Sequence, residues 1–239
     1  MPDPSTFQFS KEFEVGSFQV HPNGKLSLSS LADFFQEIAW RHADSADFGK
    51  NLLEENLSWV LSKFDIKGKQ LPTWGDVIRV YTAGRGVDKL LAFREFLVTD
   101  LQGNSLAEAM SSWVLLNMDT KRLCRPESVL PKGLFDPTKR PDWQPERIRL
   151  KGTLESETQI QVRYSDLDLN NHVNNTSYIR WIEDVLKVSG IDFTNISINY
   201  LAECHLGEIV QIEQWRVDNR IFVQGKAREK SIFLAELLV

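Results

Sequence analysis

Asp168, Asn170 and His172 stand at alternating positions in the run Arg163-Tyr-Ser-Asp-Leu-Asp-Leu-Asn-Asn-His-Val-Asn-Asn-Thr-Ser-Tyr178. If this connection is extended, residues two apart point the same way, and the three polar side chains share one side. An imidazole titrates near neutrality and can relay a proton. An amide both donates and accepts, and so can orient substrate or water. The apolar pattern that follows predicts a helix, whose first N–H groups and positive end suit a developing oxyanion. The combination is suited to attack on a carbonyl. Asp166 has the same parity as Asp168, so alternation alone does not choose between the two acids. A further acid, Glu203, lies in Asn199-Tyr-Leu-Ala-Glu-Cys-His205, a segment expected to be strand and partly buried. A buried glutamate without a role is uncommon. Its neighbour Cys204 then faces the opposite side and is expected to pack behind the site. The four histidines are scattered, and neither a metal nor another cofactor is expected.

Two long helices are expected to hold the framework. Leu31, Phe34, Phe35, Ile38, Ala39 and Ala43 repeat at helical spacing behind Ser29 or Ser30 as a cap, predicting a buried helix over Leu31–Ala46. Tyr178, Trp181, Ile182, Val185 and Leu186 do the same behind Asn174 or Asn175, predicting Asn175–Val188. Each helix is followed by β-rich segments with matching punctuation. Trp74-Gly-Asp-Val-Ile-Arg-Val80 echoes Leu206-Gly-Glu-Ile-Val-Gln-Ile212, and Ser105-Leu-Ala-Glu-Ala109 echoes Phe233-Leu-Ala-Glu-Leu237. Between the halves, four prolines and a glycine in residues 130–145 end regular structure. The expected division is a first repeat over 1–132, a Pro-rich linker over 133–154 and a second repeat over 155–239. A long apolar helix beside several strands must be covered by the sheet, since neither buries its face alone. Aligning Gly75 with Gly207 puts Leu71 and Pro72 at the positions of Glu203 and Cys204, and His21-Pro-Asn-Gly-Lys-Leu-Ser-Leu28 lacks Asp-x-Asn-x-His. The chemistry therefore belongs to the second repeat.

The 239 residues carry a net charge of −5, which argues against nucleic acid as a partner. No segment approaches the ~20 apolar residues needed to span a bilayer, so stable membrane insertion is not expected. The start, Met-Pro-Asp-Pro-Ser-Thr, has no basic or apolar signal region. Cys124 and Cys204 have no ligand spacing. A cytoplasmic chain with free thiols is the expectation. Basic residues gather from Lys121 to Lys151, including Lys132, Lys139, Arg140, Arg147, Arg149 and Lys151.

The motif Ser165-Asp-Leu-Asp-Leu-Asn-Asn-His-Val-Asn-Asn-x-x-Tyr178 resembles the signature of the acyl-ACP thioesterases. Leu71-Pro-Thr-Trp-Gly-Asp-Val77, Ser111-Ser-Trp-Val-Leu-Leu-Asn-Met118 and Ala202-Glu-Cys204 are similar to other parts of that family. The resemblance runs from about Phe9 to the C-terminus. It implies an α+β fold of tandem hot-dog repeats, each a long central helix wrapped by an antiparallel sheet. It also implies hydrolysis of the thioester between a fatty acyl chain and the phosphopantetheine of acyl carrier protein, with the first repeat left to shape an acyl tunnel. The catalytic set it implies is Asp168, Asn170, His172 and Glu203, and an older cysteine-nucleophile scheme maps onto Cys204. Which carboxylate activates water, and whether a covalent anhydride forms at Asp168, stay open. So do an acyl-CoA thioesterase, a hot-dog dehydratase, a non-catalytic acyl-binding module, and the choice between monomer and homodimer. An acidic carrier needs a local basic face, for which Arg147, Arg149, Lys151 and Arg180 are the candidates. Arg180 could instead pair with Glu183 or Asp184 on its own helix.

Overall fold

The computed structural model describes residues 2–45, 52, 54–129, 141 and 143–239. Residues 130–140 and 142 of the Pro-rich segment, with Lys132, Lys139 and Arg140, lie outside the described residues, as does Ala46 at the expected end of the first helix. The chain forms two compact units, Met1–Pro145 and Glu146–Val239. Residues 146–151, expected in the linker, associate with the second unit. Ile148 is 6% exposed, and its N–H donates to Asn199 Oδ1 at 2.8 Å.

The first unit contains β1 (Phe9–Glu14), α1 (Leu28–Asp44), β2 (Leu57–Gly68), β3 (Val77–Asp88), β4 (Leu91–Thr99), β5 (Ser105–Asn117) and the short β6 (Leu123–Cys124). The sheet runs β1-β3-β4-β5-β2, antiparallel throughout, with β6 added against the end of β5. The helix starts one turn earlier than the apolar spacing suggests. Ser27 is its cap and accepts from the Ser30 N–H, because Leu28 already belongs to the buried face. That face (Leu28, Leu31, Ala32, Phe34, Phe35, Ile38) lies against aromatic side chains of the sheet. Phe35 meets Phe64 and Phe96, and Phe34 meets Phe13. Full burial of each such side chain contributes ~1.5–3 kcal/mol.

The second unit contains β7 (Thr153–Gln161), α2 (Asn175–Val188), β8 (Asn195–Tyr200), β9 (Ile209–Val217), β10 (Arg220–Ala227) and β11 (Lys230–Leu238). Its sheet runs β7-β9-β10-β11-β8, again antiparallel, the same topology as the first unit. The helix covers the expected Asn175–Val188 behind Asn174, whose side chain accepts from the Thr176 N–H. Tyr178 on α2 packs edge-on against Tyr200 of β8 and Phe233 of β11. Each unit is thus a hot-dog α+β repeat.

The duplication extends to individual backbone hydrogen bonds. The Gly75 N–H donates to Val15 O at 2.9 Å, and Gly207 to Val162 O at 3.1 Å. Both glycines have positive φ, +85° and +80°, a region open to glycine at no steric cost. The Leu26 N–H donates to Pro72 O, and Val173 to Cys204 O; Ser27 donates to Gln19 O, and Asn174 to Asp166 O. The short loop before each helix also closes alike, His21 donating to Lys25 O and Asp168 to His172 O. Both repeats therefore build the same backbone frame around the start of the helix.

Candidate active site

The segment holding Asp168, Asn170 and His172 is not extended. A single bridge pairs Leu167 with Val173, and the five residues between form a closed loop with Asn171 at φ +60°. Asparagine tolerates this left-handed conformation better than most residues. Strand parity therefore does not align the three side chains. The Asp168 carboxylate does the gathering instead, since Oδ1 accepts the backbone N–H groups of Asn170 at 2.8 Å and His172 at 3.1 Å. Its Oδ2 lies 3.4 Å from Asn170 Nδ2, long for a hydrogen bond.

Glu203 departs from expectation in its setting. Strand β8 ends at Tyr200, so Glu203 lies in the connection to β9, and its side chain is 56% exposed. It nonetheless meets the histidine, with His172 Nε2 3.7 Å from Glu203 Oε2 and the imidazole 34% exposed. That distance exceeds a direct hydrogen bond and lies within ion-pair range once the imidazole is protonated. The two residues come from different segments and meet because the Val173 N–H ties the loop to Cys204 O at 3.1 Å. His205 adds a second imidazole, its ring 5.3 Å from that of His172 and nearly perpendicular.

Cys204 turns the other way, as expected, although the segment is not a strand. It is fully buried, and its thiol donates to Glu208 Oε2 at 3.1 Å. Burial raises its pKa, opposed by the His205 backbone and by Arg228. A thiol held in its neutral form is a poor nucleophile. Glu208 also accepts the His205 N–H at 3.1 Å, just as Asp76 accepts that of Thr73 at 2.7 Å in the first repeat.

Asp166 and Asp168, equivalent by parity, are separated by burial. Asp166 is 5% exposed, and its Oδ1 accepts from Arg180 Nη2 at 2.6 Å. Arg180 thus has an ion-pair partner outside its own helix. The expected oxyanion site at the helix start is also narrower than the sequence suggests. The N–H groups of Val173, Asn174, Thr176 and Ser177 already donate to Cys204 O, Asp166 O, Asn174 Oδ1 and Asn174 O.

Tyr178 was not singled out by its chemistry, although it closes the motif. It is 3% exposed, and its hydroxyl is held in the neutral form by burial and then by Cys204, Glu203 and Asp168. A tyrosine one turn into a helix reads as core from spacing alone, and only tertiary packing brings it near Cys204, Glu203 and Asp168. Arg147, Arg149 and Lys151 gather around Arg220, Phe222, Glu146 and Glu236 in a recess of about 500 Å³.

Comparison with known proteins agrees with the fold. The family model for the acyl-ACP thioesterase N-terminal domain matches residues 6–130, and that for the C-terminal domain matches 151–231. An oleoyl-acyl carrier protein thioesterase from Arabidopsis thaliana is 27% identical over 85% of this chain and 62% of its own length. A palmitoyl-acyl carrier protein thioesterase from the same plant is 30% identical over 85% of this chain and 54% of its own. The chain thus spans a little over half the length of these chloroplastic relatives. A crystal structure of an acyl-ACP thioesterase from Bacteroides thetaiotaomicron superposes with a TM-score of 0.82 at 25% identity, covering 96% of both chains. With both domain models matched in order across most of its length, the chain belongs to the acyl-ACP thioesterase family.

Proposed function

We propose that the protein hydrolyses the thioester of a fatty acyl chain carried on acyl carrier protein, releasing free fatty acid and holo-carrier. The observation that carries this reading is the approach of Glu203 to His172 within 3.7 Å, beside a loop braced by Asp168. Water is the nucleophile. Glu203 accepts its proton, with His172 relaying that proton to the departing thiolate. Asp168 is spent on the loop, its Oδ1 holding two backbone N–H groups, which favours the water route over a covalent anhydride. With the Val173, Asn174, Thr176 and Ser177 N–H groups engaged, the exposed Asn170 amide is the donor for the oxyanion. Cys204 supports the site from behind.

The second repeat carries this chemistry, and the first binds the acyl chain without catalysing. Arg147, Arg149 and Lys151 supply the basic face for the acidic carrier. Arg180, tied to Asp166, is the weakest of the four candidates. Among the described residues no helix is long and apolar enough to cross a membrane. The free thiols of Cys124 and Cys204 support a cytoplasmic enzyme. The competing reading is an acyl-CoA thioesterase of the same chemistry. Turnover of acyl-ACP and matching acyl-CoA across chain lengths separates them. A kcat/KM higher on acyl-CoA at every length overturns the carrier assignment, and no turnover of either leaves a binding module.

A further inference from the structure

Asp166 is a buried carboxylate that the proposed reaction does not use. Its Oδ2 accepts the Arg163 N–H at 2.7 Å, and its Oδ1 accepts from Arg180 Nη2 at 2.6 Å. Its carbonyl accepts the Asn174 N–H at 2.8 Å and the Ser177 hydroxyl at 3.0 Å. Arg180 Nη2 also donates to Ser177 Oγ at 3.0 Å. One side chain and its peptide thus join the entry of the 167–173 loop to the first two turns of α2.

The first repeat is an internal control. Gln19 stands where Asp166 does, its Oε1 accepting the Gly16 N–H at 2.9 Å and its carbonyl the Ser27 N–H at 3.0 Å. Ser30 occupies the position of Ser177, and Asp33 that of Arg180. A neutral amide therefore suffices to build this backbone frame. Burying a carboxylate instead carries a desolvation penalty, which its partner only partly offsets. The pair is present in the repeat whose loop carries Asp168, Asn170 and His172.

That loop needs holding from its base. Leu169 at its tip is 98% exposed, and Asn170 and Asn171 are exposed as well, so packing does not fix it from outside. Charge-assisted hydrogen bonds are stronger and more directional than neutral ones. We propose that Asp166 and Arg180 are positioning residues, a charged clamp that sets the His172 loop against α2 so that the imidazole meets Glu203. The proposal rests on the hydrolytic reading of the site. It extends that reading to two residues that touch neither substrate nor the reacting atoms.

The test transplants the pair from the first repeat by the double substitution Asp166→Gln with Arg180→Asp. Melting temperature, amide hydrogen exchange across residues 168–172, and kcat and KM on acyl-ACP are measured on the same preparations. A melting temperature close to the parent's is expected, with faster exchange at the Asn170 and His172 amides. A kcat lowered by about ten- to a hundred-fold should accompany it, the scale of a small misplacement at a reacting centre. The single substitution Asp166→Asn, which keeps an acceptor for Arg163 and leaves Arg180 in place, should lower kcat more mildly with KM unchanged. Parent-like exchange and kcat overturn the clamp, as does a kcat that falls only in step with melting temperature and folded fraction. A parent that turns over neither acyl-ACP nor acyl-CoA defeats the hydrolytic reading instead. The exchange measurement then still decides whether the pair holds the loop.

Discussion

Replacing Glu203 with glutamine removes one charge and almost nothing else. The side chain is 56% exposed and its ion-pair partner His172 lies 3.7 Å away. An exposed pair of this kind contributes ~0–1 kcal/mol to stability, so the melting temperature should stay close to the parent's. Kinetics should respond differently. A positioned general base contributes ~10²–10⁴ in rate, or roughly 3–5 kcal/mol of barrier at about 1.4 kcal/mol per decade. Glu203→Gln is therefore expected to lower kcat by two to four decades with little change in KM. The assay is release of free fatty acid from acyl-ACP at saturating substrate, alongside a thermal melt of the same sample. His172→Ala should lose a similar amount, and the double variant little more than either single, because the residues act as one unit. If Glu203→Gln folds and keeps kcat within about threefold, a fraction of one general-base contribution, Glu203 is not the base. Strict additivity of the two losses would show instead that the residues act independently.

Asp168→Asn keeps an oxygen for the Asn170 and His172 N–H groups and should retain measurable turnover, whereas Asp168→Ala opens the loop and should lose far more. Complete loss in a folded Asp168→Asn with the loop amides still protected from exchange would favour the covalent route. Charge reversal at Arg147 and Arg149 should raise KM for acyl-ACP and weaken its salt dependence while leaving a small soluble thioester unaffected. Equal losses on both substrates would remove these residues from carrier binding. In the first unit, His42 accepts from Arg94 Nη1 at 3.0 Å when neutral at Nδ1, and burial and then Arg94 push its pKa down to about 4. Between the unfolded value near 6.5 and about 4, the unfolded chain binds the extra proton, so stability falls as pH falls through that window. The slope from this one group reaches ~1.4 kcal/mol per pH unit, and denaturant unfolding of His42→Asn should lack it. Equal acid slopes in parent and variant would contradict the assignment.

Periodicity was enough to identify the two helices and their repeat. A helix that buries one face must repeat its apolar residues near 3.6, and the Asn175–Val188 stretch and the Phe34–Phe35–Ile38 face do so without help from distant residues. Turn glycines and the Asp-x-Asn-x-His pattern were legible for the same reason, since both are local. Parity misled within the loop, because a carboxylate that captures two backbone N–H groups is a stronger local constraint than an extended chain. Glu203 was found through the motif it belongs to, yet its meeting with His172 depends on a hydrogen bond between segments some thirty residues apart. Alternation left Asp166 and Asp168 indistinguishable, and the resemblance alone pointed to Asp168. Only the tertiary structure, by burying one against Arg180 and leaving the other to the loop, assigned them different work. Burial and partnership are properties of packed segments, and local spacing does not encode them.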